Sequence, residues 1–432
     1  MQRNRFLTDI MSSLFDLRRA TSKDDDPRDI YTLCLALLSD EGTVSGQKLA
    51  EIILRRYRGL ADEEKNSFFQ FMASDLDIDA MAVSTWASEY ARSGSIEDYK
   101  RVLQAAEPRR QELLRRLNQQ TGATQDLVQM RVDLLRLGRG NPDLARADLD
   151  FVHLLRTWFN RGFLVLKQID WDAPASLLDK IVAYEAVHEI DDLDDLRRRL
   201  SPPDRRCFAF FHPAMPDEPL IFVEVALTQD VPNSIDALLT EDREPLFPEG
   251  AKTAVFYSIS NCQQGLQGIS FGNLLIKQVV KELASEFTNL TKFVTLSPIP
   301  RLRQWLSNLA DPSIFADAAK AMLEGNASPE IERALTARYL VEAKDSKGNP
   351  IDPVARFHLG NGAEIYEIHA DADNTENGQA QSCGTMVNYL YDLSHVERNH
   401  KAFALNAIVA TSKSVQNSAK MSLIQKPEKA AS

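Results

Sequence analysis

The spacing of apolar residues changes near residue 160, and this change limits the possible folds more than any single motif. Before it, segments such as GQKLAEIILRRYRGL and EEKNSFFQFMASDL place apolar residues every three or four positions, which predicts amphipathic helices. After it, apolar and β-branched runs such as GFLVLKQIDW alternate with helical stretches. Because 432 residues exceed the usual limit of one core, we predict two domains: a helical bundle over residues 1–160 and an α+β domain over residues 161–432.

The second domain is predicted to interleave strands with helices. RRCFAFFHP and PLIFVEVALT indicate a hairpin, and TAVFYSIS, TKFVTLS and CGTMVNYLYDL indicate further strands. FHLGNGAEIYEIHA predicts another strand region with a tight turn at Asn361-Gly362, and NHKAFALNAIVATSKSV predicts one C-terminal helix. In the first domain, Pro108 should end or kink a helix near Glu107.

Composition and charge argue against several classes of protein. With 44% apolar and 26% charged residues, the chain has an ordinary soluble globular composition, and its formal charge of -12 argues against a nucleic-acid partner. The sequence has no run that would span a bilayer, so we expect no membrane partner and a cytoplasmic location. The four cysteines form no CxxC pair and no His/Asp/Glu cluster has metal-ligand spacing, so we expect neither disulfides nor a metal.

A glycine-containing loop, QQGLQGISFGN, joins a predicted strand to a predicted helix. Free backbone N–H groups and the helix dipole make such a turn a suitable site for a phosphate group. The glycine spacing matches neither the dinucleotide fingerprint nor a P-loop, so an ordinary turn with glycines at positive φ explains it equally well. Position favours the functional interpretation, because Ser270 or Asn273 can cap the helix and leave neighbouring N–H groups free.

Ser297 lies at the end of a predicted strand, directly before Pro298-Ile299-Pro300 and a helix predicted to begin near Arg301. Spacing alone favours a helix N-cap over a catalytic role. No GxSxG elbow surrounds this serine, so a hydrolase nucleophile is not indicated.

His358 lies in ARFHLGNGA, which we interpret as the start of a strand next to a loop. A lone histidine usually bonds a backbone carbonyl, but an imidazole is also the group best suited to proton exchange near neutral pH. Asn388, Tyr389 and Tyr391 would line the same pocket.

Four blocks taken together, FYSISNCQQGLQGISFGNLLIKQVVKEL, TLSPIPRLRQWL, FHLGNGA and SCGTMVNYLYDL, closely resemble the malonyl-CoA decarboxylases, and the resemblance begins near Tyr184. It implies an acetyltransferase-like (GNAT-type) catalytic domain and a helical domain through which the protein forms a homo-oligomer, a dimer or a tetramer. It also implies conversion of malonyl-CoA to acetyl-CoA and CO2, with coenzyme A as part of the substrate and no separate cofactor. A short segment between Trp305 and His358 suggests a bacterial-type member.

The resemblance also implies the site residues. It makes Ser297 and His358 catalytic; we expect His358 to protonate the enolate carbon, Ser297 to position the malonyl group and relay the proton, and Tyr391 to assist. Some family members carry an acidic residue at the position of Ser270, so a role of that carboxylate is absent here or supplied elsewhere. The loop that binds the acyl-coenzyme A falls on Gln267, Gly268, Ile269, Ser270, Phe271, Gly272 and Asn273.

Two other functions stay open at this point. An acyltransferase would use the same loop to pass an acyl group to an acceptor and would release no CO2. A non-catalytic acyl-coenzyme A sensor would bind without turnover. Incubation with malonyl-CoA alone separates all three.

Overall fold

A computed structural model describes residues 26–241, 243–269, 272–309 and 315–421. At residues 41 and 272–274 it describes the backbone but not the side chains. The chain divides into two compact units, Met1–Trp158 and Phe159–Ser432. None of the described helices combines the length and the apolarity that a membrane crossing requires.

The described part of the first unit is helical. Its turns follow local signals: Asp29 caps the first helix by accepting from the backbone N–H of Thr32, and Pro108 separates two helices as predicted. The helices are α1 (Ile30–Leu38), α2 (Glu41–Arg58), α3 (Asp62–Ser74), α4 (Ala80–Ser93), α5 (Ile96–Ala106), α6 (Arg109–Leu117), α7 (Ala123–Leu137) and α8 (Pro142–Trp158).

Two of these helices differ from the rest of the bundle. Most contribute buried apolar side chains, such as Leu33, Phe68 and Leu127, to the core of the unit. The antiparallel pair α4 and α5, joined by Gly94 in the left-handed conformation, contributes none.

The second unit is built on one sheet with the strand order β1-β2-β3-β4-β5-β8-β6, and β7 also pairs with β8. All pairs are antiparallel except β4 with β5, which are parallel. The strands are β1 (Val165–Ile169), β2 (Arg205–His212), β3 (Met215–Thr228), β4 (Thr253–Asn261), β5 (Lys292–Thr295), β6 (Ser297–Pro298), β7 (Glu364–His369) and β8 (Met386–Leu390).

Helices cover this sheet, and the apolar residues of the strands pack beneath them. One core cluster joins Leu178 and Leu196 to β2 residues such as Cys207, and another joins Leu238 to Tyr257 and Val294. The helices are α9 (Ala175–Tyr184), α10 (Leu193–Leu200), α11 (Asp236–Leu239), α12 (Gly272–Glu286), α13 (Leu302–Ser307), α14 (Ala316–Leu323), α15 (Pro329–Glu342), α16 (Pro353–Gly360), α17 (Glu376–Ser382), α18 (Val396–Asn406) and α19 (Lys413–Lys420).

The predicted order, a helical domain followed by a mixed sheet with helices, is confirmed, but two local predictions are wrong. FHLGNGA does not begin a strand: His358 lies in α16, which Asp352 caps and Pro353 starts, and β7 begins only at Glu364. The predicted C-terminal helix is two helices, because the chain turns at Ala407, whose φ is 50°, before α19 begins.

Candidate active site

Ser297 lies in the two-residue strand β6, where it pairs with Val387 of β8. The next helix, α13, begins at Leu302, and its N-cap position is Arg301. The interpretation of Ser297 as a helix cap is therefore wrong. Strand pairing with β8 holds its backbone and leaves the hydroxyl for other partners.

His358 lies in the last turn of α16, and its imidazole contacts two of the predicted site residues. Nε2 lies 3.3 Å from Oγ of Ser297, across 61 residues of chain. Nδ1 lies 2.8 Å from the hydroxyl of Tyr391, the first residue after β8. The structure thus brings Ser297, His358 and Tyr391 into one hydrogen-bonded chain.

Aromatic rings fix the plane of this imidazole. The ring of Tyr389 stacks on His358 at 4.5 Å with an interplanar angle of 21°, and Phe357 packs edge-on at 5.0 Å. Because the flanking rings restrict rotation of the imidazole, its two nitrogens keep their distinct partners.

Thr295, which the sequence analysis did not single out, sets the donor-to-acceptor direction of these side-chain hydrogen bonds. Its Oγ1 accepts the hydroxyl proton of Ser297 at 2.8 Å and the backbone N–H of Tyr389 at 3.2 Å. With its proton turned toward Thr295, Ser297 offers a lone pair to Nε2 of His358, so Nε2 carries the imidazole proton and Nδ1 accepts from Tyr391. Tyr391 therefore donates to His358, His358 donates to Ser297, and Ser297 donates to Thr295.

Asn388, expected in the same pocket, does not contact His358 through a described hydrogen bond. Its Nδ2 donates to the carbonyl oxygen of Thr295 at 2.8 Å, and its Oδ1 faces Nε2 of His369. This side chain therefore holds the strand that carries Thr295.

Burial sets the charge of the site. His358 is 2% exposed, and desolvation lowers its pKa to about 3, so the imidazole is neutral near pH 7. Burial also raises the pKa of Tyr391, against a smaller opposing effect of Asn361, so the phenol keeps its proton. A neutral imidazole that accepts from a phenol at Nδ1 agrees with the direction set by Thr295.

The predicted coenzyme A loop follows β4, and the structure describes only part of it. Gln267 follows a short 3-10 turn, Gly268 has a φ of 81°, and Ile269 is nearly buried. Gly272 and Asn273 lie in the first turn of α12, whereas Ser270 and Phe271 lie outside the described residues.

Topology relates this loop to Ser297. The loop leaves the carboxyl end of β4, Ser297 follows the carboxyl end of β5, and these two strands are parallel neighbours in register from Thr253 with Lys292 to Phe256 with Thr295. Carboxyl ends of adjacent parallel strands lie at one edge of a sheet, which is where open α/β sheets bind ligands.

The described residues give little support for a metal site or a disulfide. No group of three or more His, Cys, Asp or Glu side chains within that part of the chain has the arrangement of a metal site. The four cysteines, Cys34, Cys207, Cys262 and Cys383, are free and buried. The absence of a metal stays a prediction.

The α+β domain carries a buried serine–histidine pair at the carboxyl edge of its parallel strands, at the same edge as a loop suited to phosphate. An enzyme that transfers protons on an anionic substrate requires such an arrangement. Residues 162–430 match the family model described as the malonyl-CoA decarboxylase C-terminal domain, and residues 76–159 match the corresponding N-terminal domain. The chain belongs to the malonyl-CoA decarboxylase family, as its sequence blocks predicted.

Similar proteins agree with this assignment. The chain is 34% identical to the mitochondrial malonyl-CoA decarboxylase of Anser anser anser, over 83% of this chain and 80% of the relative. It is 36% identical to that of Rattus norvegicus, over 69% and 68%. Crystal structures of malonyl-CoA decarboxylases from Rhodopseudomonas palustris (46% identity, 90% and 98% coverage) and Agrobacterium vitis (45%, 90% and 99%) superpose with TM-scores of 0.84.

Proposed function

We propose that this protein decarboxylates malonyl-CoA to acetyl-CoA and CO2 at the Ser297–His358 pair. The observation that carries the proposal is the buried hydrogen bond between Ser297 Oγ and His358 Nε2 in a member of this family, at the same sheet edge as the glycine loop. Neither an acceptor site for acyl transfer nor a sensing function is favoured by a particular feature of the described residues.

The loop after β4 would hold the coenzyme A part of the substrate. It leads into α12, a helix of 15 residues, and the partial positive charge at the amino end of such a helix favours phosphate. Gly268 supports this use, because its φ of 81° turns the backbone as few other residues could. No separate cofactor is required, since the thioester carbonyl accepts the electrons of the breaking bond.

His358 would supply the proton that the product gains. The imidazole is neutral in the free protein, and the malonyl carboxylate, on binding nearby, raises its pKa so that it takes up one proton. The bond between C2 and the carboxylate then breaks, CO2 leaves, and the electron pair forms the thioester enolate. The proton on Nε2 moves to C2, which gives acetyl-CoA and leaves His358 neutral, with its remaining proton on Nδ1 until the resting tautomer is restored.

Ser297 would stand between His358 and the substrate. Both residues are buried, and Ser297 is 5% exposed against 2% for His358. When substrate binds, the hydroxyl would turn its proton from Thr295 toward the malonyl group, pass that proton to C2 and receive the proton of His358 Nε2 across the 3.3 Å contact.

The first experiment is incubation with malonyl-CoA alone, followed by detection of acetyl-CoA and CO2. His358→Gln should lower kcat by about 100- to 10,000-fold, the range that general acid catalysis supplies, with KM nearly unchanged. Ser297→Ala should also lower kcat while the protein stays folded. The matched control is His395→Gln, which alters an exposed histidine, 46% for its side chain, and should leave kcat unchanged. Normal turnover in purified His358→Gln would refute the assignment.

A second measurement tests the proton uptake itself. Calorimetric titration with a malonyl-CoA analogue that cannot lose CO2, in buffers of different ionisation enthalpy, should show about one proton taken up per site near pH 7. His358→Gln should abolish that uptake and keep binding. Binding of the analogue to the unchanged protein without proton uptake would exclude His358 as the acid.

We also propose that the first unit joins two copies of the chain through the α4–α5 pair. Neither helix has a buried residue, yet together they expose large apolar side chains: Met81 is 77% exposed, Ile96 64%, Leu103 52% and Tyr99 43%. An apolar surface of this kind is typical of an interface, and a twofold axis lets each copy cover the same surface of the other.

The mass in solution, measured by light scattering after gel filtration, tests this proposal. Met81→Asp with Ile96→Asp should dissociate the oligomer, whereas Leu149→Asp, on a residue of α8 that is 68% exposed, should not. A wild-type protein that is already monomeric would contradict the proposal, and so would a Met81→Asp, Ile96→Asp variant with the same mass in solution as the wild type.

The cytoplasmic location stays a prediction, which the mitochondrial names of the curated relatives do not support.

A further inference from the structure

A small cavity in the second unit is lined by arginines. Its volume is about 200 Å³, and four guanidinium groups line it together with Asp195 and Glu241. The four arginines come from α10, from the first residue of β2 and from the segment after α11: Arg198, Arg199, Arg205 and Arg243.

Buried carboxylates pair with only part of this charge. Asp195 forms an ion pair with Arg199 at 2.8 Å and lies 3.5 Å from Arg198. Asp204 accepts hydrogen bonds from both terminal nitrogens of Arg243, at 2.6 and 2.9 Å. Arg198 also lies 3.1 Å from Glu241, whose side chain is 74% exposed. Solvent therefore screens the charge of this carboxylate, the one besides Asp195 that lines the cavity among the described residues.

No carboxylate among the described residues lies within hydrogen-bonding distance of Arg205. This arginine is 3% exposed and donates to two backbone carbonyls, that of Leu238 at 2.6 Å and that of Asp204 at 3.3 Å. The nearest carboxylate oxygen in the part of the chain that the structure describes, Oδ1 of Asp204, is 3.7 Å away, and that carboxylate already binds Arg243. A buried guanidinium in this position is stabilised by an added anion.

Two further observations concern the positive charge around the cavity. Nε of Arg198 is buried and has no hydrogen-bond partner. Glu224, at 3.5 Å from Arg199, does not compensate the positive charge, because burial and the nearby Glu185 raise its pKa to about 8 and keep it protonated near pH 7.

We propose that this cavity binds a compact oxyanion with two negative charges, either a phosphate group or a small dicarboxylate. The volume excludes large ligands, since it lies below the range of about 300–1,000 Å³ that drug-sized molecules occupy. Guanidinium groups suit planar, bidentate contacts with either oxyanion. Binding would tie α10, the start of β2 and the segment after α11 to one another.

This site is separate from the coenzyme A loop. Arg205 pairs with Ala226, and Ala226 pairs with Val255 near the start of β4. The loop begins after Asn261, six residues further along the strand, or about 20 Å at the rise of an extended strand. An anion in the cavity therefore does not occupy the proposed substrate site.

Calorimetric titration and thermal unfolding of the full chain test the proposal, with sodium phosphate and sodium malonate as probes and sodium chloride at matched ionic strength as reference. The titration is repeated with saturating coenzyme A, so that the loop after β4 is occupied. The variants are Arg198→Gln, at a side chain that is 38% exposed, which keeps the Asp195–Arg199 and Asp204–Arg243 pairs, and Arg205→Met. Arg206→Gln is the matched control, since Arg206 does not line the cavity and binds Glu286 at 2.8 Å.

We expect phosphate or malonate to bind and to raise the unfolding temperature, both without and with coenzyme A. Arg198→Gln should weaken that binding by about tenfold, and Arg206→Gln should leave it unchanged. Comparison of the two probes identifies which oxyanion the site prefers. An absence of binding with both probes, or equal weakening in Arg198→Gln and Arg206→Gln, would overturn the proposal even if Arg205→Met does not fold.

Discussion

At the scale of single residues, the direction of the hydrogen-bond chain matters as much as its members. Ser297 is bonded on two sides, to Thr295 at 2.8 Å and to His358 at 3.3 Å, and a hydroxyl has only one proton to donate. Since that proton goes to Thr295, the imidazole must donate from Nε2. Thr295 thereby selects the tautomer of a histidine that it does not contact.

Replacement of Thr295 tests this selection. In Thr295→Val the hydroxyl of Ser297 loses its acceptor and can turn to Nε2, so the imidazole proton should move to Nδ1. We expect kcat to fall by about 10- to 100-fold, with KM nearly unchanged, while Thr295→Ser stays close to the unchanged protein. The ¹⁵N shifts of His358 report the tautomer directly. Equal losses in the valine and serine variants would show that Thr295 acts only through packing.

The sequence predicted some members of this site and could not predict others. Ser297 and His358 followed from the resemblance to the family and Tyr391 from its expected place in the same pocket, and the structure brings the three together. Thr295 and the stacked ring of Tyr389 depend on the register of β8, which pairs Val294 with Leu390 and Ser297 with Val387. That register is a long-range feature, which local spacing does not encode.

At the scale of elements, α16 shows how a local signal was present but misinterpreted. The run ARFHLGNGA is short and apolar, so its periodicity does not separate a strand from a helix. The signal lay upstream, where Asp352 precedes Pro353, an acidic N-cap followed by proline at the first helical position. Asp352 accepts from the backbone N–H of Ala355 at 2.8 Å and from the hydroxyl of Tyr339 at 3.2 Å, and so ties the helix that carries His358 to α15.

Loss of this cap should affect stability and catalysis together. Asp352→Ala removes both hydrogen bonds of a residue that is 1% exposed, and we expect unfolding free energy to fall by about 1–2 kcal/mol and kcat to fall with the displaced imidazole. Asp352→Asn keeps a capping oxygen and should retain most activity. Asp29→Ala, which removes the cap of α1, is the control: it should cost similar stability with no change in kcat. Unchanged kcat in a folded Asp352→Ala protein would show that the cap does not position His358.

At the scale of the whole molecule, groups buried in their uncharged forms link stability to pH. Burial lowers the pKa of His358 to about 3 and that of His188 to about 4, from an ordinary value of 6.5. Below pH 6.5 the unfolded chain binds these protons and the folded chain does not, so stability is lost as pH falls. Glu224 acts in the opposite sense, because its raised pKa of about 8 makes the folded protein hold a proton that the unfolded chain releases above pH 4.5.

These opposite linkages predict a stability maximum near pH 6.5 and a loss on its alkaline side, to which Glu224 contributes most and Glu332, whose pKa burial raises to about 7, adds in the same direction. One group contributes a slope of about 1.4 kcal/mol per pH unit, so unfolding free energy should fall by about 2 kcal/mol between pH 6.5 and 8. Glu224→Gln, which carries no titrating proton, should flatten this decline, whereas Glu97→Gln on the exposed face of α5 should not. Urea unfolding at both pH values measures the difference. If unfolding free energy declines equally in Glu224→Gln and in the wild-type protein, another group causes the loss of stability above pH 6.5.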